Sequence, residues 1–166
     1  MGTIKRILFP VDLSTVSPKI APQVLSMAER LDAEIHLLLV SSTLDEFSTF
    51  YVPHPSLDTF EEEMLKSARR KLEDFQLEHL EDYSKVELIV LKGDPAEEIL
   101  KYIDSAKIDF VIMGTHGRKG LDRVLFGSVA EQVVKKSLVP VMSVNPFRTS
   151  ETAKAEVEES NPLTPH

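Results

Sequence analysis

The sequence predicts a small doubly wound α/β fold, a single five-stranded parallel sheet with helices on both faces. Three observations carry that reading. Short apolar runs alternate with amphipathic stretches from the start of the chain to about residue 145. The runs are β-branched or leucine-rich, as strands covered on both faces must be. The 166 residues, 42% of them hydrophobic, suit one domain with a real core and exclude global disorder.

The strands are expected at Arg6–Val11, Glu34–Val40, Val86–Leu91, Ile108–Met113 and Val139–Val144. Ala21, Val24, Leu25, Ala28 and Leu31 mark the apolar face of a first helix, and Phe60, Met64, Ala68, Leu72 and Phe75 that of a second. Pro22 removes one intrahelical hydrogen bond, so an irregular turn through Ser17 and Pro18 is expected, with regular helix from about Pro22. The run Glu61–Glu63 is expected to open the second helix, where acids complement the dipole. A third helix starts at Asp94-Pro95-Ala96-Glu97, with Asp as cap, Pro at the first position and Glu placed to close a capping box. Its buried face is expected at Ala96, Ile99, Leu100 and Ile103. A fourth begins at Ser128, with Glu131 three residues on as a second capping box, and is expected to bury Val129, Val133 and Val134. Strand–helix alternation with right-handed crossovers makes the sheet largely parallel.

Two pieces depart from the alternation. The connection Ser41–Leu57 is polar, carries Pro53 and Pro55, and is longer than most loops of its kind. The tail from Pro146 is rich in Ser, Thr, Glu and Pro, so residues 1–146 are expected to form the domain and 147–166 a polar appendage.

The 19 Lys and Arg against 27 Asp and Glu give a net charge of −8, which argues against a nucleic-acid partner. Cysteine is absent, which excludes disulfides, thiol nucleophiles and thiolate metal sites. No run is long enough for a membrane helix, and the apolar run Ile7–Val11 is too short for a secretory signal, so a cytoplasmic location is expected.

In open α/β sheets, ligands bind beyond the carboxyl ends of the strands where the winding reverses. That singles out Asp12, Val40-Ser41, Gly93-Asp94 and Gly114. The fourth connection, Gly114-Thr-His-Gly117-Arg-Lys-Gly120-Leu-Asp-Arg-Val-Leu-Phe-Gly127-Ser128, holds four of the chain's six glycines. Glycines admit the backbone to close range of a ligand, and the loop ends on a helix N-terminus, which favours an anion. Arg118, Lys119 and Arg123 against Asp122 make this loop positive within an acidic chain. A polyphosphate fits that combination.

The pattern Gly114-x2-Gly117-x9-Gly127-Ser128, after a strand ending Val-Ile-Met-Gly, resembles the nucleotide-binding signature of the universal stress protein family. The opening Lys-Arg-Ile-Leu-Phe-Pro-Val-Asp and the closing Val-Pro-Val are also similar to that family, so the resemblance covers about residues 3–145. It implies strand order 3-2-1-4-5 and a cleft for ATP, or AMP or ADP, between strands one and four. It implies that Asp12, beside Pro10 and Val11, holds the ribose hydroxyls and that Val40 meets adenine largely through its backbone. Met113 and Gly114 would border the adenosine moiety. Gly117, Gly127, Ser128 and Val129 would bind phosphates mostly through N–H groups. On the residues themselves, Arg118 or Lys119 can add charge, and a Mg²⁺ could bridge the phosphates near Asp12. The resemblance also implies a homodimer through the last strand, Val139–Val144, an edge whose Pro140 lacks an N–H.

Each residue has a plainer reading. Asp12 can simply start a turn, Ser128 can simply cap its helix, and the loop cations can be solvent-facing. His116 has no carboxylate partner by spacing, and His36 reads as a satisfied polar group within the second strand. The P-loop string GxxxxGK[ST] is absent, GxGxxG does not follow the first strand, and the receiver lysine is missing from strand five. Two function classes remain. One is a nucleotide-binding stress or signalling protein whose conformation or assembly responds to its ligand. The other is a slow ATP hydrolase or nucleotide-processing enzyme in the same cleft. With no evident base and no second convergent carboxylate, fast turnover is not expected.

Overall fold

The computed structural model describes residues 3–41, 54–115 and 127–147, and all structural statements below concern these residues. Five strands alternate with four helices: β1 (Arg6–Val11), α1 (Ser17–Leu31), β2 (Glu34–Ser41), α2 (His54–His79), β3 (Val86–Lys92), α3 (Pro95–Ser105), β4 (Phe110–Gly114), α4 (Ser128–Lys136) and β5 (Val141–Val144). All ladders are parallel and the strand order is β3-β2-β1-β4-β5, as expected.

The period of two in each central strand divides the core. Ile7, Phe9 and Val11 of β1 face one way with Ile35, Leu37 and Leu39 of β2, and pack under α1 and α2. Leu8 and Leu38 face the other way, against Ile99 and Ile103 of α3 and Ala130 and Val133 of α4. The apolar runs are continuous because both faces of the sheet are covered.

Several boundaries differ from the sequence expectation. α1 is regular from Ser17, with Pro22 inside it. Pro22 is exposed, so water can reach the carbonyl that it leaves without an N–H, while Ile20, Ala21, Val24 and Ala28 are buried on the opposite side. A proline costs a helix interior about 3 kcal/mol. Burying large aliphatic side chains returns about 1.5–3 kcal/mol each, so the helix persists. α2 begins at His54, well before Glu61–Glu63, and takes in part of the segment read as a loop. Pro55 is harmless in its first turn, where N–H groups lack helical partners anyway. The acids therefore lie past that turn, and Glu61 bonds Lys92 at the end of β3 instead. Phe60 is exposed, leaving Leu72 and Phe75 as the buried residues of that helix's expected face.

Asp94 caps α3 as expected, its carboxylate accepting from the Glu97 N–H at 3.0 Å. In α4 the N-cap is Gly127, Ser128 is the first helical residue, and Glu131 bonds Lys135. The capping box expected at Ser128 is therefore not formed. α4 buries Ala130 and Val133, and Val134 is exposed, because a helix this short presents only an i, i+3 pair to the sheet. β4 and β5 start two residues later than expected, at Phe110 and Val141.

Candidate functional site

The winding reverses between β1 and β4, and the sheet is least closed there. Register pairs between the two strands stop at Ile7↔Phe110 and Leu8↔Val111, whereas β1 pairs with β2 along its whole length. No pair joins Phe9–Val11 to Ile112–Gly114, so the two strands run on past Leu8 without a shared ladder. Carried along the strands, the same offset brings Asp12 level with Thr115.

On the β1 side, the Asp12 carboxylate is fixed by its neighbours. Its Oδ1 accepts from the Ser14 N–H at 3.0 Å and from the Ser17 hydroxyl at 3.1 Å. This is an Asx turn, in which a carboxylate bonds the backbone two residues on. Leu13 between them has φ 56°, in the left-handed region. Of the other two non-glycine residues with positive φ, Asp32 directly follows α1 and Lys107 lies two residues past the end of α3, where that conformation is common. Leu13 precedes a helix. A left-handed leucine costs about 1–2 kcal/mol, and the serine bonds to Asp12 hold the turn that contains it.

On the β4 side, the Thr115 N–H donates to the Val144 carbonyl at 2.9 Å, which ties the strand end to β5. The Thr115 carbonyl then accepts from the Gly127 N–H at 2.6 Å. That bond brings the start of α4 against the end of β4. Gly127 has φ −69° and ψ 156°, ordinary extended backbone, so its usefulness lies in its missing side chain rather than in a left-handed turn. The N-cap offers no side-chain hydrogen bond to the first turn of α4, whose N–H groups lack helical partners, and Ser128 there is exposed.

Between the two sides lies an apolar floor. Met113 is buried in the cluster under α3 and α4, and Val40 and Val129 pack against that same cluster. Thus Val40, Met113 and Val129, scattered through the sequence, share one cluster, and Asp12, Gly114, Gly127 and Ser128 stand at its carboxyl-end border. Pro10 and Val11 belong to β1, paired with Leu38 and Leu39, and Val11 faces the opposite side of the sheet, under α1 and α2. Gly117, Arg118, His116, Lys119 and Arg123 lie outside the described residues. Gly93 marks the far end: its N–H donates to the Ser41 carbonyl at 3.0 Å, its φ is +146°, and a Cβ there would meet Glu98 Cγ at 2.8 Å.

Sequence reasoning missed Ser14, Ser17 and Thr115. The Asp-x-Ser spacing at Asp12 is a readable turn signal. Nothing local marks Thr115, whose role depends on a strand and a helix start distant in sequence.

An open parallel sheet in the order β3-β2-β1-β4-β5, with a fixed carboxylate after β1 and a helix N-terminus beside the end of β4, defines the class of doubly wound α/β domains, whose ligand sites lie at such switch points. The family model for the universal stress protein family matches residues 3–145. The chain belongs to that family. It is 36% identical to universal stress protein MJ0577 of Methanocaldococcus jannaschii, covering 84% of this chain and 94% of that one. It is 32% identical to MJ0531 of the same organism, over 84% of this chain and 81% of the relative. The solved structure of MJ0577 superposes with a TM-score of 0.74 at 29% identity, over 89% of this chain and all of that one. The fold is shared with a universal stress family protein from Arabidopsis thaliana solved with AMP bound, at a TM-score of 0.59 and 21% identity, over 89% of this chain and 94% of that chain.

Proposed function

We propose that this chain binds an adenine nucleotide in the crevice between β1 and β4 and serves in stress response or signalling through ligand-dependent conformation or assembly. The interrupted β1–β4 ladder, flanked by the fixed Asp12 carboxylate and the Gly127-capped start of α4, carries this reading. In it, Asp12 accepts from the ribose hydroxyls, and its Asx turn orients it before ligand arrives. Val40 and Met113 offer adenine an apolar seat. The N–H groups of Ser128 and Val129 take phosphate oxygens, favoured by the helix dipole. Gly117 and Arg118 of the glycine-rich connection would add N–H groups and positive charge for the phosphates, and Mg²⁺, bound with the nucleotide, would supply further neutralisation of their charge. A family member solved with AMP and another solved with cAMP support the ligand class.

The nucleotide acts here as a ligand rather than a fast-turning substrate. Asp12 is the single carboxylate of the described crevice residues, and it is engaged by two serine donors, which suits ground-state binding better than proton abstraction. The second partner is another copy of the chain. β5 is a sheet edge, and Leu138 (96% exposed) and Val134 (44% exposed) stand beside it. Bare apolar edges invite symmetric pairing. The cytoplasm is the compartment that suits a cysteine-free, nucleotide-responsive chain.

Calorimetric titration with ATP, ADP and AMP, each with and without Mg²⁺, tests the reading on wild type and Asp12→Ala. Saturable binding in wild type, weakened about tenfold or more in Asp12→Ala, is expected for loss of a charged hydrogen-bond acceptor. Equal affinities for the two proteins would remove Asp12 from the site.

A further inference from the structure

We propose that Glu34, His36 and Glu87 form a site for a divalent transition-metal cation of the zinc type, at the amino-terminal end of the sheet and apart from the nucleotide crevice. His36 and Glu87 are register partners on β2 and β3, and Glu34 lies two residues before His36, so all three project from one face. Their ligand atoms all lie within 4.8 Å of one another, the one such group among the described residues. The His36 side chain is 4% exposed, whereas Glu34 and Glu87 are 43% and 55% exposed, so a buried imidazole sits behind two carboxylates that solvent can reach.

The distances suit a small cation. Zinc binds nitrogen and oxygen ligands at about 2.0–2.1 Å, which sets tetrahedral ligands about 3.3 Å apart. His36 Nε2 and Glu34 Oε2 already stand 3.3 Å apart. Glu87 Oε2 is 3.7 Å from His36 Nδ1, on a half-exposed side chain that would turn toward Nε2 as it binds the ion. Three protein ligands leave one position for water.

Tyr102 supplies the partner that a metal-binding imidazole needs on its other nitrogen. Its hydroxyl is 2.8 Å from His36 Nδ1. With a cation bound, its oxygen would accept Nδ1–H and leave the Nε2 lone pair for the ion. Arg6 offsets part of the negative charge, lying 4.0 Å from Glu34, but its Nη1 is committed to the Ala106 carbonyl at 2.9 Å. The cluster keeps a net negative charge for a divalent ion to neutralise. Without metal, the same groups close on themselves, with Nε2–H donating to Glu34, and the experiment separates these two states.

The test uses the full chain, stripped with chelator and free of nucleotide. Zn²⁺ alone is titrated by calorimetry, and Co²⁺ by its visible ligand-field bands. Wild type is expected to bind one Zn²⁺ per chain and to unfold at a higher temperature with it. His36→Gln should lose the Co²⁺ bands. Glu87→Gln, at a half-exposed position that folding tolerates, should bind about tenfold or more weakly. Tyr102→Phe, which keeps the ring and removes only the hydroxyl, should weaken binding about 10–100-fold, as loss of such outer partners does. Wild type that binds no Zn²⁺, or binding that Glu87→Gln and Tyr102→Phe leave unchanged, overturns the proposal, and these two variants decide the matter if His36→Gln does not fold.

Discussion

Gly127→Asp should raise stability and lower nucleotide affinity at once. At φ −69° and ψ 156°, the backbone of Gly127 accepts any residue without strain, and the aspartate retains the N–H that bonds Thr115. Aspartate is a better N-cap than glycine by a few tenths of a kcal/mol, and its charge at a helix N-terminus adds about 0.3–1 kcal/mol. A gain of about 1 kcal/mol raises Tm by about 2–4 °C in a domain of this size. The same carboxylate would occupy the place proposed for phosphate. Two like charges 4 Å apart near a protein surface repel by about 4 kcal/mol, which bounds the loss at roughly a thousandfold, and salt screening leaves a loss of at least about tenfold. Thermal unfolding without ligand and calorimetry with ATP read the two effects separately. A variant that binds ATP as tightly as wild type would show that the start of α4 is not the anion seat. A variant with lowered Tm would show that Gly127 is not a cap.

Three further outcomes follow from the same geometry. Leu38→Ala empties a fully buried position between β2, α3 and α4 and should cost about 2–5 kcal/mol, read as a lower urea midpoint at unchanged slope. Gly93→Ala should destabilise by about 1–3 kcal/mol by chemical denaturation, since it combines φ +146° with a 2.8 Å approach to Glu98; a neutral result would mean that the turn relaxes freely. The Lys85 ammonium, through a direct hydrogen bond and its charge, holds the Asp32 carboxyl below its ordinary range, so this pair adds stability above the unfolded carboxyl pKa of about 3.9 and loses it as acid titrates Asp32. Lys85→Met should return the Asp32 titration, followed by carbon NMR, to the ordinary value and remove that increment of acid dependence.

Most of the fold is legible because the period of the apolar residues is a local signal. Ile7, Phe9 and Val11 need no partner to announce a strand, and Asp94-Pro95 announces a helix start. Starts that rest on balance rather than pattern were less legible. Pro22 argues against helix, and only the buried face of Ile20, Ala21 and Val24 outweighs it. Ser128 reads as a cap from spacing, yet the Thr115–Gly127 bond sets the helix start one residue earlier. In the crevice, the placement of Asp12, Val40 and Gly114 follows from strand ends alone. The Asp12 lock on Ser17 and the meeting of Glu34, His36 and Glu87 depend on turn geometry and on register, which no single segment encodes. Gly117 and Arg118 rest on the spacing of the glycine motif and on the family resemblance.

A crystal structure of the full chain grown with ATP and Mg²⁺ tests the central claim most directly. In that crystal the ribose hydroxyls are expected at the Asp12 carboxylate, adenine over Val40 and Met113, and phosphate oxygens within about 3 Å of the Ser128 and Val129 nitrogens, the ordinary N–H···O distance. Nucleotide bound elsewhere on the molecule, or a crevice between β1 and β4 left without nucleotide at saturating ATP, would contradict it.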